Sequence, residues 1–138
     1  MSFETLRLAS AAVATMRDEA RKAGESECCG LLLGEGGVVT DARPTSNVAD
    51  DPSRRFEIDP AALFAAHRAA RDGGPKVLGH YHSHPTGSPA PSANDAVRAQ
   101  ADGAIWIIVA NGNLLAWRAG DAGLHDRFRP MDIIEEAV

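Results

Sequence analysis

Apolar and polar positions change their period several times along this chain. Residues 3–8 alternate, which predicts a strand. Ser10 then offers an N-cap to an alanine-rich helix that Gly24 ends. Residues 29–33 form an apolar run of strand length. The glycine-rich turn from Gly34 to Gly37 folds this run back onto Val38, Val39 and Thr40 as a hairpin. Residues 43–55 carry Pro44, Asn47, Asp50, Asp51 and Pro52, the composition of a surface loop, and Phe56 and Ile58 suggest a short strand. Asp59 followed by Pro60 reads as a cap and first helical residue, and Gly73-Gly74 stops that helix. A strand over residues 76–81 follows, then a loop broken by Gly87, Pro89 and Pro91. Ser92 caps a helix expected to reach about Asp102. The chain finishes in β structure: residues 105–110, a turn at Asn111-Gly112, residues 114–118, and a weaker strand over 124–128. Helices mixed with hairpins define an α+β domain.

Length bounds the rest. With 138 residues the chain is read as a single domain, 1–138, with 44% apolar residues to fill one core. Charged residues make up 24% and both signs are interspersed, which excludes a disordered class. The longest wholly apolar stretch, residues 104–110, is too short to cross a bilayer, so no membrane is expected as a partner. The first ten residues lack a basic segment followed by an apolar one, giving no secretory signal and a cytoplasmic expectation. The cysteines, Cys28 and Cys29, are adjacent and close no useful loop, which fits a reducing compartment. Net charge is −5 and no basic stripe is present, so no nucleic acid is expected.

Candidate chemistry is concentrated between residues 80 and 95. Three of the five histidines lie in Gly79-His-Tyr-His-Ser-His-Pro85. On a strand, i and i+2 share a face, so His82 and His84 can converge on one ion, and neutral imidazole is the commonest metal ligand. Asp95, one turn into the helix begun by Ser92, is the best third ligand. Two histidines and a carboxylate leave a fourth tetrahedral position open for water, and Glu27 is placed to act as its base. Plainer readings stand beside these. Ser92-Ala-Asn-Asp95 also fits a capping box, Glu27 fits a solvated charge at the start of a strand, and His80 fits either a third ligand or a polar strand residue. Cys28 or Cys29 paired with a histidine would give a cysteine hydrolase, although Cys29 in an apolar run reads as core. With His80 as a fourth ligand, the site would instead be the structural metal centre of a non-catalytic interaction module.

Taken together, Glu27-Cys-Cys-Gly-Leu-Leu-Leu-Gly34, His82-Ser-His-Pro85 and Pro91-Ser-Ala-Asn-Asp95 resemble the signature of the JAMM (MPN-type) metalloproteases: a glutamate before a C-G-L-x-x-G strand, then H-S-H-P, then P-S-x-x-D. Every position of that pattern is filled. The resemblance, to a short bacterial-type member, implies an MPN/cytidine-deaminase-like architecture: a central mixed, largely antiparallel sheet flanked by helices. It implies Zn2+ held by His82, His84 and Asp95, Glu27 as general acid/base, and Ser92 as hydrogen-bond donor to the oxyanion. It also implies cleavage of a peptide or isopeptide bond after the C-terminal Gly-Gly of a small ubiquitin-like or sulfur-carrier protein, with that tail bound by strand addition. No insertion of the kind that grips ubiquitin is visible. The oligomeric state is left open, with a homodimer as the option carried forward.

Overall fold

The computed structural model describes residues 3–137. Its elements run β1 (Thr5–Ala9), α1 (Ser10–Ala23), β2 (Cys29–Glu35), β3 (Val38–Thr45), α2 (Pro60–Arg71), β4 (Lys76–Ser83), α3 (Ala93–Arg98), β5 (Ile105–Ala110), β6 (Asn113–Leu124) and β7 (Phe128–Glu136). The strands are ordered β1-β3-β2-β4-β5-β6-β7 and close on themselves. Three neighbouring pairs are parallel (β1 with β3, β1 with β7, β4 with β5) and the other four antiparallel.

The expected α+β class and mixed sheet are present, but the sheet is a barrel rather than an open layer. Closure comes from β7, which pairs with β1 over Thr5 to Ala9. The sequence placed its last strand over 124–128, where the chain instead turns. His125 and Asp126 both take φ of 55°, the left-handed geometry of a tight hairpin, without the Asn-Gly signal that would announce it. Three further boundaries differ. Ser10 is the first residue of α1 and not its cap, since Ala9 holds that position with no side-chain hydrogen bond. Residues 43–45 extend β3 where a loop was expected. α3 stops at Arg98 because Ala99 turns extended, burying itself with Trp106, Ile108, Trp117, Ala119 and Phe128.

The middle of the sheet explains the apolar run at 29–33. From Cys29 to Gly34 every residue of β2 is buried, as expected of a strand covered on both faces. On one face Leu32 joins Ala12, Val13 and Met16 of α1 in the main core. On the other, Leu31 and Leu33 pack with Ala66 of α2, flanked by Ile58 and Val77. Gly30 has no room for a side chain, because a Cβ there would overlap the Tyr81 ring and the Arg43 carbonyl. No helix among the described residues is long and apolar enough to cross a membrane.

Candidate metal centre

Four short segments meet where β4 ends. His82 is the penultimate residue of β4 and His84 lies just beyond its last, so the predicted i, i+2 relation is preserved at the strand terminus. The nitrogen His82 Nε2 lies 3.2 Å from His84 Nε2. From the start of α3, Asp95 places Oδ1 3.4 Å from His82 Nε2 and Oδ2 3.1 Å from His84 Nε2. One ligand atom from each of these three residues lies within 4.8 Å of the others. His82 is wholly buried, Asp95 nearly so, and the His84 side chain keeps 12% of its surface exposed.

Donor chemistry shows that this group suits a cation. His84 Nδ1 lies 2.9 Å from the Ser88 carbonyl; donating there leaves Nε2 as a lone pair aimed at the Asp95 carboxylate. Burial lowers the His82 pKa, more than the neighbouring Asp95 raises it, which favours neutral imidazole. Two lone pairs and a carboxylate in one buried space repel unless a proton or a metal lies between them. With a proton between them in place of an ion, burial alone would raise the Asp95 pKa, but hydrogen bonds from the proton-bearing imidazoles of His82 and His84 hold its carboxyl well below the usual range. His84 is pulled down by burial and pushed up more strongly by Asp95 and the Ser88 carbonyl, for a net rise.

The capping-box reading of Ser92 and Asp95 is correct. Ser92 Oγ accepts the Asp95 N–H at 3.0 Å, and Asp95 Oδ2 accepts the Ser92 N–H at 2.9 Å. The cap fixes the serine oxygen and the carboxylate relative to each other, so one device serves helix start and site alike.

Glu27 precedes β2, is only 7% exposed, and leaves Oε1 buried without a hydrogen-bond partner. It is therefore not the solvated charge of the plainer reading. Burial pushes its carboxyl up to about 7. His84 and Arg98 pull it down and Asp95 raises it, which places Glu27 in the field of the same group. Its backbone is pinned on both sides: Glu27 N–H donates to Pro52 O at 2.7 Å, and Asn47 Nδ2 donates to Glu27 O at 2.8 Å. Next to it, Cys28 N–H donates to Ser83 Oγ at 2.9 Å, so the serine between the two histidines ties the glutamate to the end of β4.

His80 does not join the group. Its ring packs edge-on to Trp106, with centroids 4.3 Å apart, and against Phe56. Burial is the main cause that lowers its pKa to about 3. The cysteine reading also lacks support. Burial raises both thiols, Cys29 to about 11, and its Sγ contacts Thr45 Oγ1 and the Ser46 carbonyl rather than an imidazole. Sequence reasoning missed Asn47 and Phe56. Asn47 Nδ2 also donates to Arg55 O, and its Oδ1 accepts Ala49 N–H and Glu57 N–H, so a single side chain organises the segment beside Glu27. Phe56 stacks on His82 at 4.2 Å and 19°. Asn47 sits among ordinary loop residues, and only the paired strand-like residues around it hinted at order.

A closed mixed barrel carrying two imidazoles and a capped carboxylate at one strand end, a group that could hold a metal ion, beside a buried glutamate, is an arrangement of the JAB/MPN fold. The chain matches the family Prok-JAB, prokaryotic homologs of the JAB domain, over residues 9–120, and it belongs to that family. A desampylase from Haloferax volcanii is 34% identical over 145 residues, spanning 99% of this chain and 100% of that one. A second desampylase, from Pyrococcus furiosus, is 34% identical over 92 residues, or 66% of this chain and 65% of that one. A solution structure of a Desulfitobacterium hafniense protein superposes with a TM-score of 0.81 at 27% identity, covering 96% of this chain and 94% of that one. The crystal structure of a JAB1/MPN domain protein from Archaeoglobus fulgidus shares the fold, with a TM-score of 0.60 at 19% identity over 94% and 98% of the two chains.

Proposed function

We propose that this protein is a zinc-dependent hydrolase that cleaves the peptide or isopeptide bond following the Gly-Gly tail of a small ubiquitin-like or sulfur-carrier protein. The carrying observation is the convergence of His82, His84 and Asp95 on one point, with the unpartnered Glu27 carboxylate beside them. The names of the two desampylases agree with this reading.

His82, His84 and Asp95 would hold the ion, leaving a coordination position free. When bound, zinc would polarise the scissile carbonyl and make a water acidic enough to attack near neutral pH. Glu27 takes the proton of the attacking water and returns it to the leaving amine. A carboxyl raised to about 7 is matched to both halves of that exchange. Ser92 Oγ accepts the Asp95 N–H, which leaves its own hydroxyl proton free to donate to the oxygen that gains charge as the carbonyl becomes tetrahedral. Asn47 and Ser83 hold the Glu27 backbone in register.

Barrel closure limits where an extended tail can pair. β3 pairs with β1 only at Val38 and Val39, so from Asp41 to Thr45 its ladder is with β2 alone among the described residues. A tail added there would run toward Ser46 and Asn47, beside Glu27. We extend the proposal to a single metalloprotease domain over 1–138, cytoplasmic and able to pair as a homodimer. Incubation of the zinc-loaded protein with Gly-Gly-linked conjugates of small β-grasp proteins, followed by intact-mass analysis, tests the activity. The expected product is a modifier ending in Gly-Gly, and a panel left uncleaved counts against the reading.

A further inference from the structure

A groove of about 670 Å³ opens beside the candidate metal centre, and Glu27 is not among the residues that line it. His84, the least buried of the three candidate ligands, and Pro85 line it. Ala14 and Gly24 of the α1 segment and Gly112 of the β5–β6 turn line it together with the charged Asp18 and Arg21. Arg17 of α1 stands in this groove. Its Nε donates to the Gly112 carbonyl at 2.9 Å, fixing the stem and leaving the outer guanidinium nitrogens uncommitted. The neighbouring charges on the helix are satisfied, since Asp18 pairs with Arg21 at 2.5 Å and Lys22 at 2.9 Å. Arg17 forms no ion pair among the described residues, on a chain whose net charge is −5. An anchored, unpaired guanidinium presents a planar fork suited to a carboxylate.

We infer that Arg17 is a specificity residue: one arm of the substrate leaves the metal centre along α1, and Arg17 binds a carboxylate on it. This rests on the hydrolase reading for the groove's occupant. Binding, rather than turnover, keeps the two separable. The probes are fluorescein-labelled peptides joined by a Gly-Gly-lysine isopeptide bond, with one glutamate or glutamine scanned outward on either side and the C-terminus as acid or amide. Affinity is read by anisotropy on zinc-loaded Glu27→Gln protein, with and without Arg17→Gln or Arg17→Lys. At one position glutamate should bind about tenfold tighter than glutamine. That gap should close in Arg17→Gln, persist in part in Arg17→Lys, and shrink with salt. A preference that follows the terminal acid and is lost in Arg17→Gln supports the assignment, with a chain end supplying the carboxylate. Equal affinities throughout, no peptide binding, or a gap that survives Arg17→Gln overturns the assignment. Selective binding without cleavage by the Glu27 protein counts against the hydrolase reading alone.

Discussion

The buried Glu27 carboxyl carries a stability cost that can be measured without any substrate. In the metal-free protein its pKa is raised from 4.5 to about 7 by burial, so between those values the native state holds a proton that the unfolded chain has released. Stability from this group is therefore fully present below pH 4.5 and lost as pH rises through 7. The cost of the ionised form works out at about 1 kcal/mol at pH 5.5 and about 3 kcal/mol at pH 8, both upper bounds at roughly 1.4 kcal/mol per pH unit. Glu27→Gln removes the titration, and whatever the amide itself costs is the same at both pH values. Urea unfolding of chelator-treated protein, followed by circular dichroism, should show the variant gaining on the parent by about 2 kcal/mol between pH 5.5 and pH 8. A gap that stays constant would falsify the claim that this carboxylate is held out of water.

Other residues give shorter tests. Ser92→Ala should leave metal content unchanged, destabilise by about 1 kcal/mol through the lost cap, and lower kcat roughly a hundredfold or more if its hydroxyl meets the oxyanion; metal analysis, thermal melting and steady-state kinetics read the three effects. Asn47→Ala strands two donors and two acceptors and should cost about 2–4 kcal/mol by urea titration, with a matching fall in kcat as Glu27 loosens. Gly30→Ala forces a methyl into the Tyr81 ring and should lower stability by at least about 1–3 kcal/mol, visible as a depressed melting temperature.

The candidate site residues were legible because each combines a local rule with a spacing. His82 and His84 follow the strand period. Ser92 and Asp95 follow the capping box, which forms as expected and leaves the Asp95 carboxylate beside the two imidazoles. The helix start at Asp59-Pro60 and the apolar run at 29–33 of β2 were legible for the same reason. What escaped depends on partners distant in sequence. β7 is an amphipathic, charge-bearing strand whose place is fixed by β1, more than a hundred residues earlier, and its hairpin puts His125 and Asp126, rather than a glycine, in the left-handed region. Barrel closure, which follows from that pairing, could not be read locally. α3 stops short because burying Ala99 among aromatic neighbours outweighs continuing a helix of otherwise good formers. Asn47 escaped because its four hydrogen bonds run to Glu27, Ala49, Arg55 and Glu57, a pattern with no period.

Comparing zinc-loaded wild-type protein with zinc-loaded Glu27→Gln on a Gly-Gly-linked conjugate, with zinc quantified in both samples, tests the central claim most directly. One zinc per chain is expected in each, with a rate lower by at least about a hundredfold in the variant. Undiminished turnover by the variant, with its zinc in place, would contradict it.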